Sequence, residues 1–137
     1  MLNLIIDKAL KFWNIEHDLN CAECILYAAN EEYNLGLNKN SFKMMASFGG
    51  GMGIGSSCGA AIGAIAVIGI IFTNDRGHES PIVRELSAEF MNRFYKEFKS
   101  LNCIDIKHKR EDDDRSCKFI IETAASILDD IVNENNR

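Results

Sequence analysis

Apolar residues return every three or four positions at Leu2, Ile5, Ile6, Ala9, Leu10 and Trp13, with Asp7, Lys8 and Lys11 between them. That spacing predicts an amphipathic helix over 2–13. A second helix is predicted over Cys21–Tyr33: Asn20 is a favoured N-cap residue, Cys24, Ile25, Ala28 and Ala29 share one side, and Leu35-Gly36 ends it. Ser41 opens a short third helix over 42–48, and a glycine run follows. The clearest helix starts at Ser80-Pro81, with serine at the cap and proline at the first helical position. Ile82, Leu86, Phe90, Phe94 and Phe98 form its predicted inner stripe, while Arg84, Glu85, Arg93, Lys96 and Glu97 face water. The stretch 99–115 reads as charged and irregular. Ser116-Cys117 then opens a last helix to about Val132, burying Phe119 or Ile120 with Ile121, Ala124, Leu128 and Ile131, and the tail 133–137 is expected to fray.

The centre of this pattern is residues 48–72, FGGGMGIGSSCGAAIGAIAVIGIIF, where glycines give way at Ser57-Cys58-Gly59-Ala60 to small and β-branched residues. No charge falls between Met44 and Phe72. The compact apolar part, 58–72, would be about 22 Å long as a helix against the roughly 30 Å of a bilayer core, so it reads as the buried centre of a bundle rather than a membrane span. β-Alternation of useful length is absent. The expected class is therefore all-α: a single domain over 1–137, with five to six helices around a central apolar, glycine-containing helix. At 137 residues such a chain buries a core without disulfides or metals.

Charge narrows the partners. The net charge is −5, and the one basic cluster, Lys107–Arg110, runs straight into Glu111–Asp114, which argues against nucleic acid. The N-terminal apolar residues are interrupted by charges in helical rhythm and lack a cleavage site, so the expected location is the cytoplasm. Five cysteines in a reducing compartment are unsuited to structural disulfides, and redox, catalytic or metal-binding roles rise accordingly. His17 and His78 fall in connections and read as solvated.

Eight of the ten glycines lie between Gly49 and Gly69, so this backbone either takes positive φ or is approached closely. The run fails as a nucleotide motif: no lysine follows Gly55, and the dinucleotide fingerprint lacks its last glycine. Gly50, Gly51, Gly53 and Gly59 remain weak candidates for cradling an anionic group of a cofactor. The competing account is that Gly59, Gly63 and Gly69 let helices pack tightly.

Four cysteines share a context. Asn20-Cys21, Ser57-Cys58, Asn102-Cys103 and Ser116-Cys117 each follow a residue type favoured at N-caps. The first N–H groups of a helix are unpaired and its dipole is positive there, which favours thiolate over thiol. Convergent helix starts would thus make a pocket of low-pKa thiolates suited to disulfide exchange, to persulfide or sulfenate chemistry, or to a soft metal. Cys21 and Cys24 also form a Cys-x-x-Cys on a first turn, without the preceding strand of thioredoxin-type folds and without the following histidine that attaches haem. Three readings follow. One is a redox protein using thiol/disulfide chemistry, as a thiol–disulfide oxidoreductase or electron-transfer protein acting on a redox partner or small thiol-reactive substrate. Another is a metal or iron–sulfur module with Cys21, Cys58, Cys103 and Cys117 as a Cys₄ site. The third is a helical interaction protein with inert thiols. The glycine-rich central helix suits close packing between subunits of a homo-oligomer as readily as within one.

The chain resembles a family of small redox-active proteins, C_GCAxxG_C_C, named for four cysteines and a glycine motif. The matching residues are Asn20-Cys21-Ala22-Glu23, the run Phe48-Gly49-Gly50-Gly51-Met52-Gly53, Cys58-Gly59-Ala60-Ala61-Ile62-Gly63-Ala64, Cys103 and Cys117. The resemblance implies a soluble α-helical domain with four functional thiols at Cys21, Cys58, Cys103 and Cys117 and no covalent haem. On the redox reading Cys58, which combines a helix start with a glycine loop open to a substrate, is the expected reactive thiolate and Cys21 its resolving partner, with Cys103 and Cys117 a second pair. Two positions depart from the family: Asp18-Leu19 stands where a glycine and an aromatic are usual, and Cys24 is an additional thiol.

Overall fold

The computed structural model describes residues 4–108 and 115–135. Seven α-helices follow in order: α1 (Leu4–Phe12), α2 (Cys21–Tyr33), α3 (Lys39–Met44), α4 (Gly59–Phe72), α5 (Pro81–Phe98), α6 (Cys103–His108) and α7 (Arg115–Asn135). Among the described residues there is no strand, only one isolated antiparallel bridge between Ser57 and Asn102. The protein is an all-α bundle. The predicted reach of the first helix to Leu2, the charged residues 109–114 and the last two residues lie outside the described ones.

Helix α4 packs against α2, α5 and α7, while α1 covers α2 and α7. Ile25, Leu26, Val67, Ile68, Phe90, Phe94, Ile121 and Leu128 fill the space between them and are buried. At about 1.5–3 kcal/mol for each large apolar side chain removed from water, this core is the main source of stability. Polar ties support it at the edges. Tyr33 Oη donates to Asp129 Oδ1 at 2.6 Å, joining α2 to α7, and burial followed by that hydrogen bond raises the phenol's pKa. Lys8–Glu32 and Lys11–Glu31 link α1 to α2 at 3.0 and 2.7 Å, but ion pairs open to solvent add little to stability.

The apolar period placed the helices, and several details differ from it; among them, α3 ends at Met44 rather than 48, and α7 continues to Asn135 through residues expected to fray. Ile82 is 37% exposed rather than part of the inner stripe. A strict four-residue repeat drifts by about 40° per step on a helix of 3.6 residues per turn, so a stripe centred on Phe90 and Phe94 leaves Ile82 at its edge. Helix α3 starts three residues before the expected 42, because Asn38 is its cap and accepts the Ser41 N–H at 3.1 Å. Helix α6 lies within the stretch expected to be irregular, six residues being too few to show a period. Helix α4 packs against three helices but is not buried all round: Ile70 is 40% exposed, and Ile62 and Ile65 are half-buried, while α2 rather than α4 touches the most other elements. Among the described residues no helix is long and apolar enough to cross a membrane.

Candidate functional site

The site begins with the way α2 starts. Asn20 Oδ1 accepts the Glu23 N–H and Glu23 Oε1 accepts the Asn20 N–H, both at 2.8 Å, a reciprocal cap that makes Cys21 the first residue of the helix. The same Asn20 side chain donates through Nδ2 to the carbonyls of Met45 and Ala46, at 3.3 and 3.1 Å. One residue thereby ties the start of α2 to the segment leading into the glycine run. Asp18 adopts φ +52°, a left-handed conformation that aspartate tolerates and glycine takes without cost.

The glycine run is a wound turn. Gly51 has φ +64°, and a Cβ built there would lie 2.5 Å from the Ser56 nitrogen and 2.9 Å from Cys103 Cβ. Only glycine fits between these neighbours. Beyond the turn, Ser56 to Cys58 runs antiparallel to Leu101 to Cys103: Cys58 N–H donates to Leu101 O at 2.8 Å and Cys103 N–H to Ser56 O at 2.6 Å. Cys58 is then the N-cap of α4 and Cys103 the first residue of α6. Gly59 follows, and a Cβ on it would lie 2.9 Å from Phe48 O and 3.5 Å from Cys21 Cβ. Its missing side chain lets the start of α4 reach the start of α2. Cys117, in the first turn of α7, completes the group through a side-chain hydrogen bond with Cys21.

All four expected cysteines are therefore brought to one end of the bundle. Cys58 lies within electrostatic range of Cys103 and Cys117, and Cys21 within range of Cys117, Cys58 and Cys24. Cys21 and Cys103 are half-buried, whereas Cys58 and Cys117 are 4% and 6% exposed. No disulfide joins any of the five cysteines. Cys21 is in hydrogen-bond contact with Cys117 and within electrostatic range of Cys58, its expected partner. Cys24, one turn into α2, is fully buried against the core.

Electrostatics correct the expectation of low-pKa thiolates at Cys21 and Cys58. Burial pushes Cys58 up to about 11, even though the amides of Ala61 and Ala60 at the start of α4 pull the other way. The hydrogen bond with Cys117 holds the proton on Cys21, and burial and the neighbouring thiols raise its pKa further, well above the usual value. Burial and the nearby Glu23 push Cys24 up to about 12. Helix ends do favour the thiolate, but a buried helix end costs the anion more hydration than the dipole returns.

The alternative Cys₄ site needs its sulfurs at about 2.3 Å from one point. Among the described residues no three His, Cys, Asp or Glu side chains are placed to hold a metal ion, so the four thiols adjoin without converging. Of the glycines considered for a cofactor, Gly51 and Gly59 have their space filled by Ser56, Cys103, Phe48 and Cys21, so they serve packing rather than a cradle. Gly50 and Gly53 adjoin open space. Gly59 bears out close helix packing, whereas Gly69 meets nothing within 4 Å. Two contributors escaped the sequence: the donor side of the Asn20 amide and the Ser57–Asn102 bridge. An Asn before a helix announces its acceptor role only, and a one-residue bridge has no period.

The sequence model of the family described as putative redox-active protein (C_GCAxxG_C_C) matches residues 19–131, which include all four clustered cysteines. No curated protein and no solved structure matches the chain.

Proposed function

Because the chain belongs to the C_GCAxxG_C_C family of redox-active proteins, we propose that it works by thiol/disulfide chemistry at Cys21, Cys58, Cys103 and Cys117. The observation that carries this reading is the hydrogen bond between Cys21 and Cys117, two residues from helices distant in sequence, with Cys58 and Cys103 alongside. Neighbouring thiols convert to a disulfide by giving two electrons and two protons to an oxidant, and mixed-disulfide exchange does this without a cofactor. Glycine at positions 51 and 59 supports the same reading, because those contacts bring cysteines together. The proposed working compartment is the cytosol, where the reduced form is maintained.

Thiol counting tests this. The reduced protein, unfolded after exposure to oxidised glutathione and then desalting, should show two or four fewer thiols than its five, with all of them restored by dithiothreitol. Replacing the four cysteines together by serine should leave the single Cys24 thiol unchanged. A full count of five after oxidant treatment would refute the proposal, and stoichiometric metal in anaerobically purified protein would replace it with a metal-binding role.

A further inference from the structure

The Cys21 side chain hydrogen-bonds that of Cys117. The backbones of Cys58 and Cys103 are held by the short bridge. Each lies one residue beyond the Ser57–Asn102 bridge, on opposite segments and in opposite directions. Diagonal neighbours of this kind sit about 7–8 Å apart at Cα. A disulfide needs Cα atoms within about 7 Å, and the two bridge hydrogen bonds of 2.8 and 2.6 Å keep the backbones where they are. Hydrogen-bonded thiols, by contrast, need only a short approach of their sulfurs. Access separates the first two as well: Cys21 is half-buried and Cys117 is 6% exposed. An incoming molecule reaches Cys21 first.

Resting on the thiol redox reading above, we propose that Cys21 and Cys117 form the working disulfide, with Cys21 meeting an incoming small-molecule or protein disulfide and Cys117 resolving the intermediate. The Cys21 sulfur, once it has lost its proton, attacks one sulfur of the substrate disulfide. A Cys21–substrate bond forms, the substrate's sulfur–sulfur bond breaks, and its other half leaves as a thiolate that takes a proton. The Cys117 sulfur then attacks the Cys21 sulfur, expelling the second half. The couple has lost two electrons and two protons, and the substrate disulfide has become two thiols. Cys24 takes no part.

Disulfide mapping decides between this couple and the others. The reduced full-length protein receives one equivalent of oxidised glutathione, is quenched in acid, alkylated and digested without reductant, and its linked peptides are quantified by mass spectrometry. The Cys21–Cys117 linkage should exceed every other by at least tenfold. Cys117→Ser should retain glutathione on Cys21, and Cys24→Ala should give the wild-type map. A main linkage of Cys21 to Cys58, of Cys103 to Cys117 or of Cys21 to Cys24 overturns the assignment while leaving the thiol redox reading intact. Wild-type protein with neither linkage nor adduct overturns both. The wild-type map alone tests the pairing should Cys117→Ser fail to fold.

Discussion

At Cys58 the amides of Ala60 and Ala61 favour the thiolate and burial favours the thiol, and burial prevails. The consequence is kinetic, because only the thiolate attacks an electrophile. With its pKa pushed up to about 11, the thiolate fraction of Cys58 grows about tenfold for each pH unit below that value. Alkylation of Cys58 by iodoacetamide, followed by peptide mass spectrometry, should therefore accelerate about tenfold per unit from pH 7 to 10 and level off only near 11. A rate that is already flat between pH 7 and 8 would mean that the helix start outweighs burial after all. That these four cysteines lie at helix starts was legible from residue types alone, since Asn or Ser before Cys marks the start of a helix. The direction of their titration was not, because it depends on what covers each helix start, and local sequence carries no record of that.

For the elements, the same division recurs between what is local and what is not. Helices α2, α5 and α7 announce themselves through apolar period and caps, and Gly59 and Gly63 mark α4 as a helix that its neighbours approach closely. Helix α6 and the wound turn at Gly51–Gly55 lack such signals. The turn nevertheless sets the position of Cys103. Gly51→Ala places a methyl group 2.5 Å from a backbone nitrogen that cannot yield, and adds a left-handed residue costing roughly 1–2 kcal/mol. Gly53→Ala meets open space and carries the conformational cost alone. Urea unfolding should accordingly show Gly51→Ala less stable than the native chain by about 3 kcal/mol or more, and Gly53→Ala by about 1–2 kcal/mol. Equal losses would show that the space beside Cys103 is not what position 51 requires.

For the whole molecule, the site exists because α2, α4 and α7 pack so that their starts share one end of the bundle. No sequence pattern states which helix ends meet, since that follows from how three apolar faces are satisfied together. The arrangement couples redox state to stability. A bond between Cys21 and Cys117 would close a loop of nearly a hundred residues, and restricting the unfolded chain to that extent stabilises the folded state by about 3–5 kcal/mol when the native geometry is undistorted. The existing hydrogen bond between these thiols leaves the sulfurs only a short approach to make. With a urea slope of about 2 kcal/mol per M, the oxidised protein should unfold at roughly 2 M higher urea than the reduced one. Cys117→Ser, treated with the same oxidant, should show no such gain. If oxidised and reduced protein unfold together while mapping shows the Cys21–Cys117 bond formed, then closing it strains the α2–α7 packing by about as much as the loop constraint contributes. In that case the couple would be easily reduced, as suits a disulfide that must be passed on rather than kept.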